Sequence, residues 1–86
     1  MSPALSAAQA LEKAGHLLEA AAAYRRIGPD DPGHAVALGR IGVIALVAGQ
    51  TAEAGRWLER SLAREEDPGL WAELAQARIL EGGLEA

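Results

Sequence analysis

The chain has 86 residues, half of them apolar, and a formal net charge of −4. This length suits one small domain, and the apolar content argues against intrinsic disorder. The apolar residues are mainly Ala and Leu, which are strong helix formers, with no Phe and one Tyr, so we predict an all-α fold. The absence of Cys excludes disulfides and thiolate metal sites, and the negative charge argues against a nucleic-acid partner.

Helices 1 and 2 are predicted on either side of Gly15. Ser2 suits the N-cap and Pro3 the first helical position, so helix 1 is predicted to run from there to about Ala14. Gly15 is expected to end it in the left-handed conformation that glycine favours. Helix 2 is predicted over 16–27, because one face carries apolar residues at helical spacing: Leu17, Ala20, Ala21, Tyr24 and Ile27.

Helix 3 is predicted after the linker GPDDPG at 28–33. In that linker Asp31 is expected to cap the helix and Pro32 to begin it, and Gly49 is expected to end it as Gly15 ends helix 1. Its predicted inward residues are Leu38, Ile41, Gly42 and Ala45.

Helices 4 and 5 are predicted on either side of the linker EEDPG at 65–69. Thr51 is expected to cap helix 4, which runs to about Arg64, whereas Asp67 and Pro68 open helix 5 and Gly82-Gly83 stops it. The predicted inward residues are Ala54, Trp57, Leu58, Ser61 and Leu62 in helix 4, and Trp71, Leu74, Ala75 and Arg78 in helix 5.

Three glycines, Gly39, Gly42 and Gly55, fall inside predicted helices. A glycine within a helix costs up to ~1 kcal/mol relative to Ala. The cost is understandable if a neighbouring helix approaches closely, so we predict that larger side chains at these positions clash.

The sequence repeats itself with a period of 34 residues: AGHLLEA at 14–20 is followed by AGQTAEA at 48–54. A third copy is indicated by GLWAELAQARILEGG at 69–83. Such a period is typical of stacked helical hairpins. It divides the single domain, 1–86, into repeat 1 at about 1–34, repeat 2 at about 35–67 and a partial repeat 3 at about 68–86.

The repeat resembles the tetratricopeptide repeat (TPR) family, whose unit has a large apolar residue, then Leu and a small residue, a turn Gly, then Ala, an aromatic and a late Pro. Three sets of residues match this unit. The partial repeat 3 matches its first helix, the end of repeat 1 matches its turn and second helix, and repeat 2 matches parts of both. In that order the sets are Trp71, Leu74, Ala75 and Gly82; Gly15, Ala20, Tyr24 and Pro32; and Gly42, Gly49, Ala54 and Leu58. Ala45 and Arg78 depart from the pattern, since they replace its usual Tyr. The resemblance implies a right-handed solenoid of antiparallel hairpins with five helices.

The partial third repeat leaves three arrangements open. In the first, helix 5 caps the array. In the second, the array continues beyond Ala86, and in the third, another chain completes the third repeat. Helix 5 carries Trp71, Leu74, Ile79 and Leu80 around more than one face, whereas a cap in contact with solvent is usually polar. We therefore expect either a longer array or a homo-oligomer formed through helix 5.

No catalytic, cofactor-binding or metal-binding residue is expected, and the chain is predicted not to be an enzyme. His16 and His34 lie too far apart in sequence to form a helical metal pair. The acidic pairs and runs, Asp30-Asp31 and Glu65-Glu66-Asp67, fall in linkers and are expected to be solvated turns.

Neither a membrane span nor a signal peptide is expected. The most apolar stretch, at 35–49, includes Arg40 and is shorter than the roughly 20 residues that cross a bilayer. The N-terminal residues lack a basic segment followed by a long apolar core. The compartment stays open, with the cytoplasm favoured by the lack of Cys.

The TPR resemblance implies that the first helix of each hairpin lines a concave groove for an extended or helical peptide. The residues implied for partner binding are Leu5, Gln9, Val36, Arg40, Val43, Val47, Glu73, Gln76 and Leu80, with Glu12 and Ala72 beside them. The carboxylate clamp of chaperone-binding members is not reproduced, because Leu5, Arg40 and Glu73 occupy the positions where its Lys and Asn residues are wanted. In the alternative interpretation, the three Val residues pack on a neighbouring helix of the same assembly.

The predicted function is therefore a protein–protein interaction scaffold that binds a peptide or helix of a partner protein. Two alternatives stay open from sequence. In the first alternative, the chain is the N-terminal targeting or oligomerisation arm of a larger enzyme, for example a transferase. In the second, it is a self-associating structural module.

The predicted inward position of Tyr24 can be tested by replacing it with Ala. Loss of a large buried ring is expected to lower the free energy of unfolding by about 3 kcal/mol or more. The measurement is a urea titration followed by circular dichroism, and a cost near zero would contradict the predicted inward face of helix 2.

Overall fold

In a computed structural model, the structure describes residues 2–64 and 68–82. It contains five helices, α1 (Pro3–Lys13), α2 (Leu17–Arg25), α3 (His34–Val47), α4 (Thr51–Arg64) and α5 (Pro68–Gly82), and the described residues include no strand. The predicted all-α fold with five helices is therefore confirmed. Asp67 and Gly83, to which we assigned a cap and a stop, lie outside the described residues.

The two glycine turns have the same geometry at positions 34 residues apart. Gly15 has φ +88° and Gly49 has φ +83°, both in the left-handed region. In the first turn the amide of His16 donates to the carbonyl of Leu11 (3.0 Å), and in the second the amide of Gln50 donates to that of Ala45 (2.9 Å). This hydrogen bond across a left-handed glycine closes the end of a helix. The predicted roles of Gly15 and Gly49 are confirmed.

The predicted helix boundaries lie within two residues of the observed ones, and the largest differences are at the end of helix 2, which stops at Arg25 rather than at residue 27, and at the start of helix 3. Ser2 caps α1 as expected, since its Oγ accepts a hydrogen bond from the amide of Leu5 (3.1 Å). The predicted start of helix 3 is wrong by two residues, because Gly33 is the N-cap and α3 begins at His34. Asp31 instead accepts a hydrogen bond from the amide of Gly33 (2.7 Å), which folds the linker into a tight turn before the helix. Thr51 is the first residue of α4 rather than a residue that precedes it.

Helix α3 is the centre of the fold, because it contributes to both hydrophobic clusters. The first cluster includes Tyr24 and Ile27 from the α2 region together with Ile41 and Ile44 of α3. The second joins Ala45 of α3 to residues of α4 and α5: Ala54, Leu58, Leu74 and Ala77. Tyr24 and Leu58, which are equivalent in the repeat, are 1% and 0% exposed. The predicted inward residues of helices 2, 3 and 4 are thus buried or half-buried.

Consecutive helices pack against one another, and α5 also contacts α3. The molecule measures 43 × 25 × 17 Å along its principal axes. Helices α1 and α3 are joined by an ion pair between Arg40 of α3 and Glu12 of α1. The even-numbered helix α4 lies against both α3 and α5.

Glycines inside α3 allow its neighbours to approach closely, as we predicted. A Cβ placed on Gly42 would lie 2.7 Å from Cγ of Leu58 and 3.2 Å from the carbonyl oxygen of Ala54. A Cβ on Gly39 would lie 2.8 Å from Cδ1 of Leu70. Carbon atoms do not approach this closely without displacing one partner. A side chain at Gly42 therefore displaces Leu58 or the α4 backbone, whereas at Gly39 the end of the flexible Leu70 side chain can move aside.

The predicted inward face of helix 5 is wrong in phase. Leu74 is buried as expected, but Trp71, Ala75 and Arg78 are exposed. The inward residues are instead Leu70, Leu74 and Ala77, at i, i+4 and i+7. The phase differs because Leu70, rather than Trp71, fills the space over Gly39. Arg78 lies along α4, where its guanidinium covers Gly55 and pairs with Glu59.

Replacement of Gly42 with Ala tests the close packing of α3 and α4. The added methyl group meets the Leu58 side chain and the α4 backbone, so the free energy of unfolding is expected to fall by about 1–3 kcal/mol, despite the higher helix propensity of Ala. Urea unfolding measures the change. The matched control is Gly28→Ala, since a Cβ at Gly28 has no atom within 4 Å. A stability change within about 0.5 kcal/mol is expected there, and equal losses in the two variants would contradict the packing argument.

Candidate functional site

Three side chains from three helices form a polar cluster that includes Arg40, one of the residues predicted to bind a partner. The hydroxyl of Tyr24 in α2 donates a hydrogen bond to Oε1 of Glu12 in α1 (2.6 Å). From α3, Nε of Arg40 donates to the same oxygen (3.1 Å), and Nη2 of Arg40 donates to Oε2 of Glu12. The Arg40 guanidinium therefore binds both oxygens of the Glu12 carboxylate in the bidentate geometry that arginine–carboxylate pairs favour.

The environment of this cluster favours the charged forms of Glu12 and Arg40. Hydrogen bonds from Arg40 lower the pKa of Glu12 below its ordinary value, against the opposing effect of burial. The same hydrogen bonds raise the pKa of Arg40. Burial, followed by the hydrogen bond to Glu12, raises the pKa of the Tyr24 hydroxyl well above its ordinary value. The cluster is thus an ion pair with a neutral tyrosine donor at neutral pH.

Arg40 also borders a cleft between α3 and α5, which we call the α3–α5 cleft. It has a volume of about 190 Å³ and is lined by Arg40, Val43, Gly69, Leu70 and Glu73. Three of the residues predicted to bind a partner, Arg40, Val43 and Glu73, therefore come together in one place. The cleft has apolar side chains between an arginine and a glutamate, so it offers both signs of charge beside an apolar floor.

The other predicted binding residues do not join this cleft. Gln9 lies in a separate depression on α1, next to Ser6, Ala10 and Lys13. Leu5 is half-buried, and it packs against the first hydrophobic cluster. The remaining four are at the surface: Val36 is 37% exposed, Val47 69% and Leu80 57%, and Gln76 is exposed as well. The implied binding surface is therefore a cleft with exposed apolar residues around it, while Leu5 serves packing.

Sequence reasoning missed two cleft residues, Gly69 and Leu70. Leu70 was overlooked because Trp71, its larger neighbour, was assigned to the inward face of helix 5. The i, i+4, i+7 spacing of Leu70, Leu74 and Ala77 is a signal that was available in the sequence.

The histidines have separate local roles. Nδ1 of His16 lies 3.5 Å from Oε1 of Glu19, one turn along α2. Nδ1 of His34 lies 2.9 Å from the carbonyl oxygen of Ile27, so the ring connects the start of α3 to the residue that precedes the linker after α2. Within 2–64 and 68–82, no group of three or more His, Asp or Glu residues is arranged to hold a metal ion.

None of the helices in the described part of the chain combines the length and apolar character needed to cross a membrane. The chain matches no protein-family model, and comparisons with curated proteins and with solved structures give no significant match.

The pH dependence of stability tests the Glu12–Arg40 ion pair. Because the pKa of Glu12 is lowered in the folded chain, its stabilising effect is complete above the ordinary glutamate pKa of about 4.3 and is lost as the pH falls through the lowered value. Replacement of Glu12 with Gln is therefore expected to cost about 1–2 kcal/mol near neutral pH. Below about pH 4 this difference from the unmodified chain should shrink.

The measurement is urea unfolding of both proteins from neutral to acidic pH. The difference between them is the relevant quantity, since Asp31 also has a lowered pKa, held down by its hydrogen bond from the Gly33 amide. Glu19→Gln is the control, because Glu19 is an exposed carboxylate and its loss should change stability by less than about 0.5 kcal/mol. A cost for Glu12→Gln that does not vary with pH would show that the ion pair is not its source.

Proposed function

We propose that this chain is a protein-interaction scaffold built from TPR-like helical hairpins, and that a peptide or helix of a partner protein binds along α1, α3 and α5. The observation that carries the proposal is the α3–α5 cleft, where Arg40, Val43 and Glu73 converge. The hairpin arrangement is supported by the identical glycine turns at Gly15 and Gly49 and by the elongated shape of the molecule.

The chemistry of the cleft suits an amphipathic peptide. Val43 and Leu70 offer apolar contact, and Arg40 and Glu73 offer one cation and one anion at its border. Recognition of helical or extended peptides commonly combines an apolar channel with a few polar groups that set orientation. Arg40 is already held by Glu12 before any ligand arrives, so less side-chain freedom is lost on binding.

The exposed apolar residues of α3 extend the same surface. Val47 follows Val43 by one helical turn, and its side chain is 69% exposed. Val43 is half-buried and packs against the second hydrophobic cluster. A charge at Val43 therefore perturbs both the cleft and the core, whereas a charge at Val47 changes the surface alone.

The peptide-binding proposal is tested with peptides selected from a random phage-displayed library on the immobilised chain. Synthetic versions are then titrated by fluorescence anisotropy against the chain and its variants. Val47→Glu is expected to weaken binding about tenfold or more, because it places a charge on the exposed apolar surface that continues from Val43 along α3. Leu18→Glu is the matched control, since Leu18 is 87% exposed on α2 and away from the cleft. Equal weakening in both variants, or failure to select any peptide, would contradict the proposal.

A second candidate function, self-association through α5, is favoured by its exposed apolar residues. Trp71 is 51% exposed, Ile79 50% and Leu80 57%. Trp71 and Ile79 are eight residues apart and lie on the same side of the helix. Exposed apolar residues of this kind on a helix at the edge of the fold are suited to pack against a second copy.

Sedimentation velocity over a range of concentrations tests this self-association. The chain is expected to show a sedimentation coefficient that rises with concentration, and Trp71→Glu is expected to keep it at the monomer value. Leu18→Glu again serves as the control and should behave as the unmodified chain. A folded monomer at every concentration would exclude assembly through α5.

A further inference from the structure

Two arginines from different helices converge on the ring of Trp57, and we call these three residues the Arg–Trp cluster. The guanidinium carbon of Arg60, on α4, lies 4.6 Å from the centre of the indole ring. That of Arg25, the last residue of α2, lies 5.9 Å from it. Trp57 is half-buried and packs against the first hydrophobic cluster, so the fold itself fixes the ring that both arginines approach.

Neither arginine has its charge neutralised by a carboxylate of the described chain. The ion pairs of the described residues join His16 to Glu19, Arg40 to Glu12 and Arg78 to Glu59, and none includes Arg25 or Arg60. Contacts with an aromatic ring attract a cation without neutralising its charge. The cluster is therefore a local concentration of positive charge on a chain whose net charge is −4.

Neighbouring residues extend this positive region. Arg26 follows Arg25 at the end of α2, and Arg64 lies one turn beyond Arg60 on α4. Glu53, one turn before Trp57 on α4, is the acidic residue that shares this side of the helix, and it forms no ion pair with the described arginines. Among the described residues at the end of α2 and on this side of α4, positive charges thus outnumber negative ones.

The indole ring orients the two guanidinium groups and leaves their N–H donors available. Each guanidinium is planar, and its donors are spaced to bind both oxygens of one carboxylate. Two guanidinium groups held over one ring can therefore bind two neighbouring carboxylates of one ligand. Such a ligand neutralises both charges, which no residue of the described chain does.

We propose that the Arg–Trp cluster is a second binding site, which takes an acidic peptide segment through its carboxylates. An acidic peptide is favoured over nucleic acid because polynucleotide affinity requires many phosphate contacts, and the chain has an overall negative charge. Two carboxylates need only the two guanidinium groups, and at physiological salt the remaining charges of the chain are screened over about 8 Å. This site is formed by residues of α2 and α4, whereas the α3–α5 cleft is formed by α3 and α5. An experiment can therefore refute one of the two proposed sites without affecting the other.

The experiment titrates the complete chain carrying Trp71→Phe with a hexaglutamate peptide. Trp71 is the only tryptophan besides Trp57, so the remaining fluorescence reports on the cluster. A saturable fluorescence change is expected, and it should weaken as NaCl is raised from about 0.05 to 0.5 M.

Three double variants in this background separate a specific site from general charge attraction. Arg25→Gln with Arg60→Gln is expected to weaken binding at least about tenfold, because each change removes charge-assisted hydrogen bonds. Lys13→Gln with Arg78→Gln removes the same net charge from α1 and from α5, and it should weaken binding less than about twofold. Arg25→Lys with Arg60→Lys retains the charges and the contact with the ring, so its fold is expected to persist while affinity falls severalfold.

Four results would overturn the proposal. They are the absence of a saturable signal, equal weakening in the two Gln double variants, full affinity in the Lys double variant, and tighter binding of a single-stranded oligonucleotide than of hexaglutamate. The Lys double variant keeps the test decisive if the Gln variant at the cluster does not fold.

Discussion

The close approach of α4 and α5 to α3 is the constraint on which this fold depends. Gly42 admits the Leu58 side chain and Gly39 admits Leu70, at distances that leave no room for a Cβ. The two contacts place a fully buried leucine of α4 and a half-buried leucine of α5 directly against the α3 backbone. In a chain with one Tyr, two Trp and no Phe, a dense core is achieved by bringing backbones together rather than by filling space with large rings.

This packing determines which residues remain for binding. Because neighbouring helices cover most sides of α3, its polar and exposed residues are confined to one strip that includes Arg40, Val43 and Val47. Arg40 is partly buried there, and the desolvation of its charge is offset because Glu12 accepts its hydrogen bonds, while Tyr24 in turn donates to Glu12. The ion pair thus connects α1 to α3 and, at the same time, fixes a cation at the border of the α3–α5 cleft.

The two proposed sites differ in how their charges are held. In the α3–α5 cleft, Arg40 already has a carboxylate partner in Glu12, so its charge is compensated within the chain, and the cleft offers apolar contact beside it. In the Arg–Trp cluster, Arg25 and Arg60 share an aromatic ring and have no carboxylate partner within the described chain. The first site therefore suits an amphipathic ligand and the second an acidic one. A scaffold with both can hold two chemically different segments on separate helices.

Features that depend on a few adjacent residues were predictable from the sequence alone. Gly15 and Gly49 mark helix ends because a left-handed residue is nearly always glycine, and Ser2-Pro3 marks a helix start because the cap acts on the next turn. Helical spacing correctly assigned Ala20, Tyr24, Ile41 and Leu58 to the interior. The number of helices and the inward faces of helices 2, 3 and 4 follow from these local rules.

Only the tertiary structure decided which side of α5 faces inward and which charges meet. Trp71 and Leu70 are adjacent, and either gives a plausible inward face, but the space over Gly39 accepts Leu70. Glu12 and Arg40 are 28 residues apart, and Arg25 and Arg60 meet at Trp57 only because the fold brings the last residue of α2 within reach of a side chain on α4. Local sequence determines where each helix begins and ends, whereas the partner of a side chain depends on distances that exist only after the helices have packed.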